Sequence, residues 1–308
     1  MTDLPNVLIL GGGELGSAVA HRLARAGMQV VIVDLARPTC IRRAVCFATA
    51  LTRGSIRVEG VGAARAASIA GAPAIARSGR IPVLALEGEA GVPVARMARA
   101  LGARFVVDAR MLKRAGAISR RSAPLVIGLG PGLRAGRDAH VIVETNRGHN
   151  LGRLILKGTA EPNTGRPAEI GGRASERVVR APVAGVFKCR VEIGKMVRKG
   201  QIVGKVAPRR MEEGARRGTF QAVKQPGVRG GNRKLRDDGG IPVRASIQGL
   251  LRGLIADHSR VGRGQKIGDI DPRGLAVDPF TISDKGRAVA GGVLEAIINW
   301  WVNRDGRR

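Results

Sequence analysis

The sequence predicts an α/β fold in two parts: a parallel-sheet domain, then a β-rich region that ends in a small duplicated barrel. Three observations carry that reading. A strand, glycine turn, helix and second strand open the chain over residues 6–34; short apolar runs between glycines and prolines follow from Pro124; and past Val179 the sequence repeats itself. A chain of 308 residues with 44% hydrophobic content has room for about two ordinary domains, each with its own core. With 45 Gly and 15 Pro against 2% aromatics, those cores must be filled by aliphatic side chains between many tight turns.

Asn6 to Leu10 is an apolar run that ends at Gly11-Gly12-Gly13, and from Ser17 to Ala26 the apolar residues Val19, Leu23 and Ala26 fall at helical spacing. Gly27 stops that helix, and Val30 to Val33 is a second continuous apolar run closed by Asp34. The unit is βαβ. Runs at Ile81–Leu86 and Phe105–Val107, alternating with Ala-rich stretches, continue it as a Rossmann-like nucleotide-binding domain over residues 1–115. Gly11, Gly13 and Gly16 fit G-x-G-x-x-G, with Asp34 placed 23 residues after Gly11. In that pattern Gly11 permits the turn, Gly13 lets backbone approach a pyrophosphate and Gly16 lets helix and strand pack closely. Free amides at the helix start receive the anion, and Asp34 accepts from a ribose hydroxyl. No nearby His, Lys or Tyr constellation announces a general acid, so the pattern favours binding over hydride transfer.

Residues 116–178 read as a glycine-rich β segment, 179–271 as a duplicated barrel with a basic insertion at 207–240, and 272–308 as a helical tail whose Val289, Val293, Ile297 and Trp300 form a stripe. The duplication is explicit. Arg180 to Gly185 returns as Arg244 to Gly249, and Val197, Gly200, Gln201 and Gly204 return as Val261, Gly264, Gln265 and Gly268, at a constant offset of 64. The repeated V-x-[KR]-G-Q-x-[VI]-G resembles the half-motifs of lipoyl and biotinyl domains, which implies a barrel-sandwich hybrid. The junction Ala207-Pro208-Arg209-Arg210-Met211-Glu212 has no lysine where such carriers place the modified one, so neither covalent biotin nor lipoate is expected.

The densest polar-plus-glycine region is central: Gly128-Leu129-Gly130-Pro131-Gly132, Glu144 to Asn150, and Gly158 to Gly165. Glycines clear space for a ligand, while Glu144, Asn146, Arg147, His149, Glu161, Asn163 and Thr164 offer mixed donors and acceptors suited to a polar cofactor. His149 lacks partner ligands at metal-site spacing. Those blocks, together with PTCIRR at 38–43, VVDAR at 106–110, KIGDIDPRG and TISDKGRAVAGGVLEAI, resemble the YqeB family of selenium-dependent molybdenum hydroxylase accessory proteins. The resemblance covers nearly the whole chain apart from the insertion. It implies a maturation role that binds a dinucleotide or molybdopterin-type cofactor, with a molybdenum hydroxylase or another maturation protein as partner. Against that family's pattern, this chain has Glu14 where the turn carries Asp, Thr49 where an acid stands, and Cys40 and Cys46 in place of small residues.

A formal charge of +29 raises nucleic acid as a partner, but Arg outnumbers Lys 43 to 10, the charge is spread along the chain, and no nucleic-acid-binding motif accompanies it. No specific nucleic-acid partner is expected. Cys40, Cys46 and Cys189 have no C-x-x-C spacing and are odd in number, which fits reduced thiols in a cytoplasmic protein. No apolar run approaches a membrane span and no leader pattern opens the chain. A homo-oligomer is compatible with the sequence. The alternatives to a maturation factor are an NAD-dependent oxidoreductase and a non-catalytic barrel scaffold or carrier.

Overall fold

The computed structural model describes residues 6–86, 93–112, 118–162, 169–208 and 240–305. The chain forms two units, one of Met1–Ala168 with Asp278–Arg308 and one of Glu169–Val277.

The first unit is built on nine strands: β1 Asn6–Leu10, β2 Val30–Leu35, β3 Ser55–Val58, β4 Val61–Ala66, β5 Arg80–Leu86, β6 Ala103–Asp108, β7 Leu125–Leu129, β9 Val141–Val143 and β10 Leu154–Ile155. The two-residue strands β8 Arg134–Ala135 and β11 Gly158–Thr159 pair with each other outside this sheet. The order is β10-β9-β7-β6-β1-β2-β5-β4-β3. Every pairing is parallel except β9 with β10 and β3 with β4 at the two edges. Both faces of β1 are buried, which is why its sequence is an unbroken apolar run. Val7 and Ile9 pack with Val19 and Leu23 of helix α1 (Glu14–Arg25), whereas Leu8 and Leu10 pack in a second cluster with Val94, Met97 and Ala98. The short helices α2 Ala50–Arg53 and α3 Ala72–Arg77 precede α4 Val94–Ala100, and α5 Asp284–Asp305 lies against α1. Val289, Val293 and Ile297 of α5 are the expected stripe, and all are buried. Trp300 and Trp301 meet Phe105 edge-on at 5.3 and 6.4 Å, with the Arg104 guanidinium over both indoles.

This corrects the expected fold class at two points. The first domain is not a wholly parallel Rossmann-like sheet ending near residue 115 but a nine-stranded mixed sheet. Glu59 (φ 42°) and Gly60 (φ 84°) both take left-handed backbone, making the two-residue turn that folds β3 back antiparallel on β4. At the other edge, β7 and β9 of the glycine-rich segment are buried on both faces and are apolar enough to extend the same sheet.

The second unit contains β12 Val178–Arg180, β13 Gly185–Cys189, β14 Met196–Val197, β15 Ile202–Pro208, β16 Ile241–Arg244, β17 Gly249–Leu254, β18 Arg260–Val261 and β19 Lys266–Asp271. They form two four-stranded antiparallel sheets, β12-β19-β17-β14 and β16-β15-β13-β18, around Phe187, Val203, Val206, Leu251, Leu254, Ile267 and Ile270. The expected lipoyl/biotinyl-like barrel is corrected to this pair of sheets. The repeated motif encodes a turn rather than a barrel: Gly200 (φ 82°) and Gly264 (φ 75°) reverse the chain, and Gln201 and Gln265 accept from Arg198 N at 3.0 Å and Gly262 N at 2.8 Å. Any antiparallel sheet can use such a turn. Each sheet draws strands from both copies of the repeat, so neither copy completes a sheet alone. Of the basic insertion, residues 209–239 lie outside the described residues, as do Asn163 and Thr164.

Among the described residues no helix is long and apolar enough to cross a membrane.

Candidate functional site

The parallel strands of the first unit end along one edge, and the sequence places Gly11–Gly13 after β1, Asp34 at the end of β2, Asp108 at the end of β6, Gly130 after β7 and Glu144 after β9. Crevices at the carboxyl ends of such strands, where crossovers diverge to both sides of a central strand, are where open α/β sheets bind ligands. Here β6 and β2 flank β1.

The glycine turn is tight for identifiable reasons. Gly11 has φ 94°, and a Cβ there would meet Ala109 and Arg110 backbone at 3.0 Å; a Cβ on Gly16 would sit 1.9 Å from the Gly11 carbonyl oxygen. Two of the amides expected to receive an anion are already engaged. Gly11 N donates to Val33 O at 2.8 Å and Gly12 N to Asp34 Oδ2 at 2.7 Å. Ala48 covers Gly12 from outside, its amide donating to Gly12 O at 3.1 Å. Gly13, by contrast, faces open space. Asp34 also accepts from Leu35 N, and burial pushes its carboxyl above the usual range despite those bonds. Its first task is therefore to brace the turn, and ribose recognition by the same group is not visible in its contacts.

Around this turn nearly every charge is answered. Glu14 Oε1 accepts from Arg42 Nη1 at 2.8 Å and from the Ser283 hydroxyl at 2.9 Å. Arg42, only 5% exposed, also donates from Nη2 to Pro279 O and Thr281 O, which ties residues 279–283 to the glycine turn. Asp108 holds Arg110 through two bonds, and Arg147 holds Asp284 through two more, each at 2.7 Å. Lys285 differs. It is half-buried in the first turn of α5, where the helix dipole disfavours a cation, and it makes no hydrogen bond or ion pair among the described residues. Burial, then the nearby Arg147, holds its ammonium below the ordinary lysine range, against the pull of Glu14, Glu144 and Asp284.

The polar block drawn from the sequence does assemble, but it satisfies itself. Buried Glu144 accepts from the Thr145, Asn146 and Glu161 amides at 2.7, 2.6 and 2.7 Å. Glu161 accepts from the Asn146 and Asn150 side chains, which lower its carboxyl pKa in that order. Glu144, Asn150, Arg153, Lys157, Thr159 and Glu161 line a cavity of about 480 Å³. His149 is exposed and outside this network. Among the described residues no group of three or more His, Cys, Asp or Glu is placed to hold a metal ion.

Sequence reasoning missed Lys285 and the Glu14–Arg42–Ser283 link. Arg42 lies inside the PTCIRR block, and Ser283 and Lys285 inside the TISDK block, whose charged residues among small side chains were the available signal.

No family model matches the chain. Over 292 residues it is 38% identical to YqeB of Escherichia coli (strain K12), a protein described as uncharacterized, covering 95% of this chain and 47% of YqeB. The chain thus spans about half the length of that curated relative. Among solved structures, an aspartoacylase family protein from Mesorhizobium loti is similar at 12% identity and TM-score 0.26, covering 87% of this chain and 85% of that one. A succinylglutamate desuccinylase/aspartoacylase from Rhodobacter sphaeroides is similar at 13% and 0.27, covering 87% and 84%. The expectations of Rossmann and lipoyl architecture are corrected by the mixed and paired antiparallel sheets described above. The likeness to YqeB, at 38% identity, is sustained over nearly the whole of this chain.

Proposed function

We propose that the first unit binds a small phosphate-bearing ligand of nucleotide or molybdopterin type at the carboxyl edge of β1. The observation that carries this reading is Lys285, a half-buried ammonium with no partner of its own, next to the glycine turn whose open face is Gly13. Taking an ammonium partly out of water without a carboxylate bonded to it costs free energy, and an anionic oxygen beside it recovers part of that cost. The ligand's phosphate sits against Lys285 and the Gly13 side of the turn. Its polar remainder lies toward Glu144 and the cavity that Glu144 and Glu161 line. Maturation of a molybdenum hydroxylase is the setting proposed for that binding, on the family resemblance.

Calorimetric titration of the full chain with ADP and with NAD tests the binding. Lys285→Met and Gly13→Val are expected to weaken it at least about tenfold, which is about 1.4 kcal/mol. Binding also weakens as pH rises through the depressed Lys285 pKa, because the neutral amine no longer attracts the phosphate. Equal affinity of the wild-type and both variants would overturn the reading. The setting is tested separately, by whether the chain raises the activity of a molybdenum hydroxylase produced with it.

A further inference from the structure

Between the carboxyl-terminal half of α5 and the strands β7, β9 and β10 lies a second cavity, of about 460 Å³. That volume falls in the range of small-molecule sites, about 300–1,000 Å³. The cavity shares Leu154 and Leu156 with the one beside Glu144 but has none of that cavity's charged residues, and the Trp300 indole adds to its apolar wall. Three polar side chains interrupt the wall: His140, Asn299 and Asn303. His140 stands just before β9, where the Val126 amide donates to its Nδ1 at 3.0 Å and its own amide donates to Val126 O at 2.8 Å. A ring nitrogen that accepts from an amide carries no hydrogen, so the neutral ring carries it on Nε2. Burial, then the charge of Arg120, holds the His140 pKa below the ordinary histidine range and so favours that neutral ring. Its Nε2–H has no hydrogen-bond partner among the described residues. Asn303 Nδ2 donates to Asn299 O at 2.9 Å and to Asn299 Oδ1, which fixes the Asn299 amide and leaves its Nδ2 as a second donor.

We propose that this cavity binds an uncharged aromatic ring bearing a carbonyl, the carbonyl oxygen accepting from His140 Nε2–H and the ring lying against Leu154 and Trp300. The choice of ligand class follows from what the wall offers. A charged ligand would shed its hydration there with no charged side chain among the described residues to replace it. A hydrocarbon would fill the same space but cover the Nε2–H without answering it, and a donor desolvated in that way costs affinity. A ring carbonyl answers the donor and keeps the apolar contact. The Val126 amide matters because it fixes which ring nitrogen donates: with Nδ1 already accepting, the ring cannot turn an acceptor toward the ligand in its place.

The test is calorimetric titration of the full chain with two probes of similar shape: quinazolinone, which bears the carbonyl, and naphthalene, which lacks it. Quinazolinone is expected to bind at one molecule per chain and about tenfold more tightly than naphthalene. His140→Phe is expected to lower quinazolinone affinity to that of naphthalene, and retained naphthalene binding reports an intact cavity in the variant. Asn299→Trp, made at an exposed position of α5, fills the cavity and is expected to abolish binding of both probes. Nitrogen NMR of the histidine rings adds a readout that needs no ligand, with His140 expected in the Nε2–H form at neutral pH. Failure of quinazolinone to bind the folded chain, equal affinity for the two probes, undiminished binding in His140→Phe or Asn299→Trp, or an Nδ1–H ring would each overturn the proposal.

Discussion

The two units treat charge differently. In the second unit each buried acid is bonded to arginine: Arg177 donates to Asp269 at 2.6 Å with both side chains nearly buried, Lys266 adds a second cation to Asp269, and Asp271, fully buried, is held by Arg273 and Arg252. At the carboxyl edge of β1 the acids are equally well answered, yet one cation, Lys285, has nothing of its own to answer. Charges that pair off inside a fold serve its architecture. The half-buried charge of Lys285 stands outside that pairing, and the proposed binding rests on this contrast.

The contrast can be broken most forcefully in the second unit. Asp269→Ala removes a carboxylate bonded to a buried guanidinium and is expected to destabilise that unit by about 3 kcal/mol, read as a fall in the urea midpoint at unchanged slope. Gly16→Ala comes next. Its new Cβ collides with the Gly11 carbonyl, and a loss of about 2–3 kcal/mol is expected, whereas Gly13→Ala, facing open space, costs less than about 1 kcal/mol. If the two glycine variants proved equally costly, the turn would be a packing device without an open face.

Acid sharpens the comparison further. Burial alone pushes the Asp271 carboxyl up, but the hydrogen bonds and charge of Arg273, with Arg252, outweigh it and hold the folded pKa below its ordinary value. A depressed carboxyl stabilises the fold fully above the unfolded value, near about 3.9, and that stability disappears as pH falls through the lower folded value. Stability measured from pH 6 downward should therefore fall less steeply in Asp271→Asn than in the unaltered chain. The smallest effect is the most diagnostic. Lys285→Met is expected to leave stability unchanged or raise it by up to about 1 kcal/mol, because a desolvated, unpartnered ammonium is removed. A large loss of stability there would return Lys285 to the scaffold.

Local chemistry is legible in the sequence. The run Asn6–Leu10, the glycine turn, the helix through Leu23 and the run to Asp34 all announce themselves by periodicity and by Gly, and the observed elements match them closely. So does the constant offset of 64, which reappears as β13 with β17 and β15 with β19. What stayed hidden depends on partners distant in sequence. The fate of Gly12 N is decided by Asp34, and the Glu14 carboxylate is met by Ser283 from 269 positions away. The same half-motif that reads as a carrier barrel in one dimension is a glutamine-braced turn in three. The polar block around Glu144 shows the opposite hazard: residues rich in donors and acceptors came together as read, and then spent most of those groups on one another.

Residues 278–305 return to a unit that the chain left at residue 168, bringing Ser283 to Glu14 and Lys285 to the crevice. On a ribosome adding about 5–20 residues each second, the glycine turn exists for many seconds before the lysine that completes its surroundings has been made. The lysine of the proposed phosphate site is thus made only after the whole of the intervening unit has been synthesised.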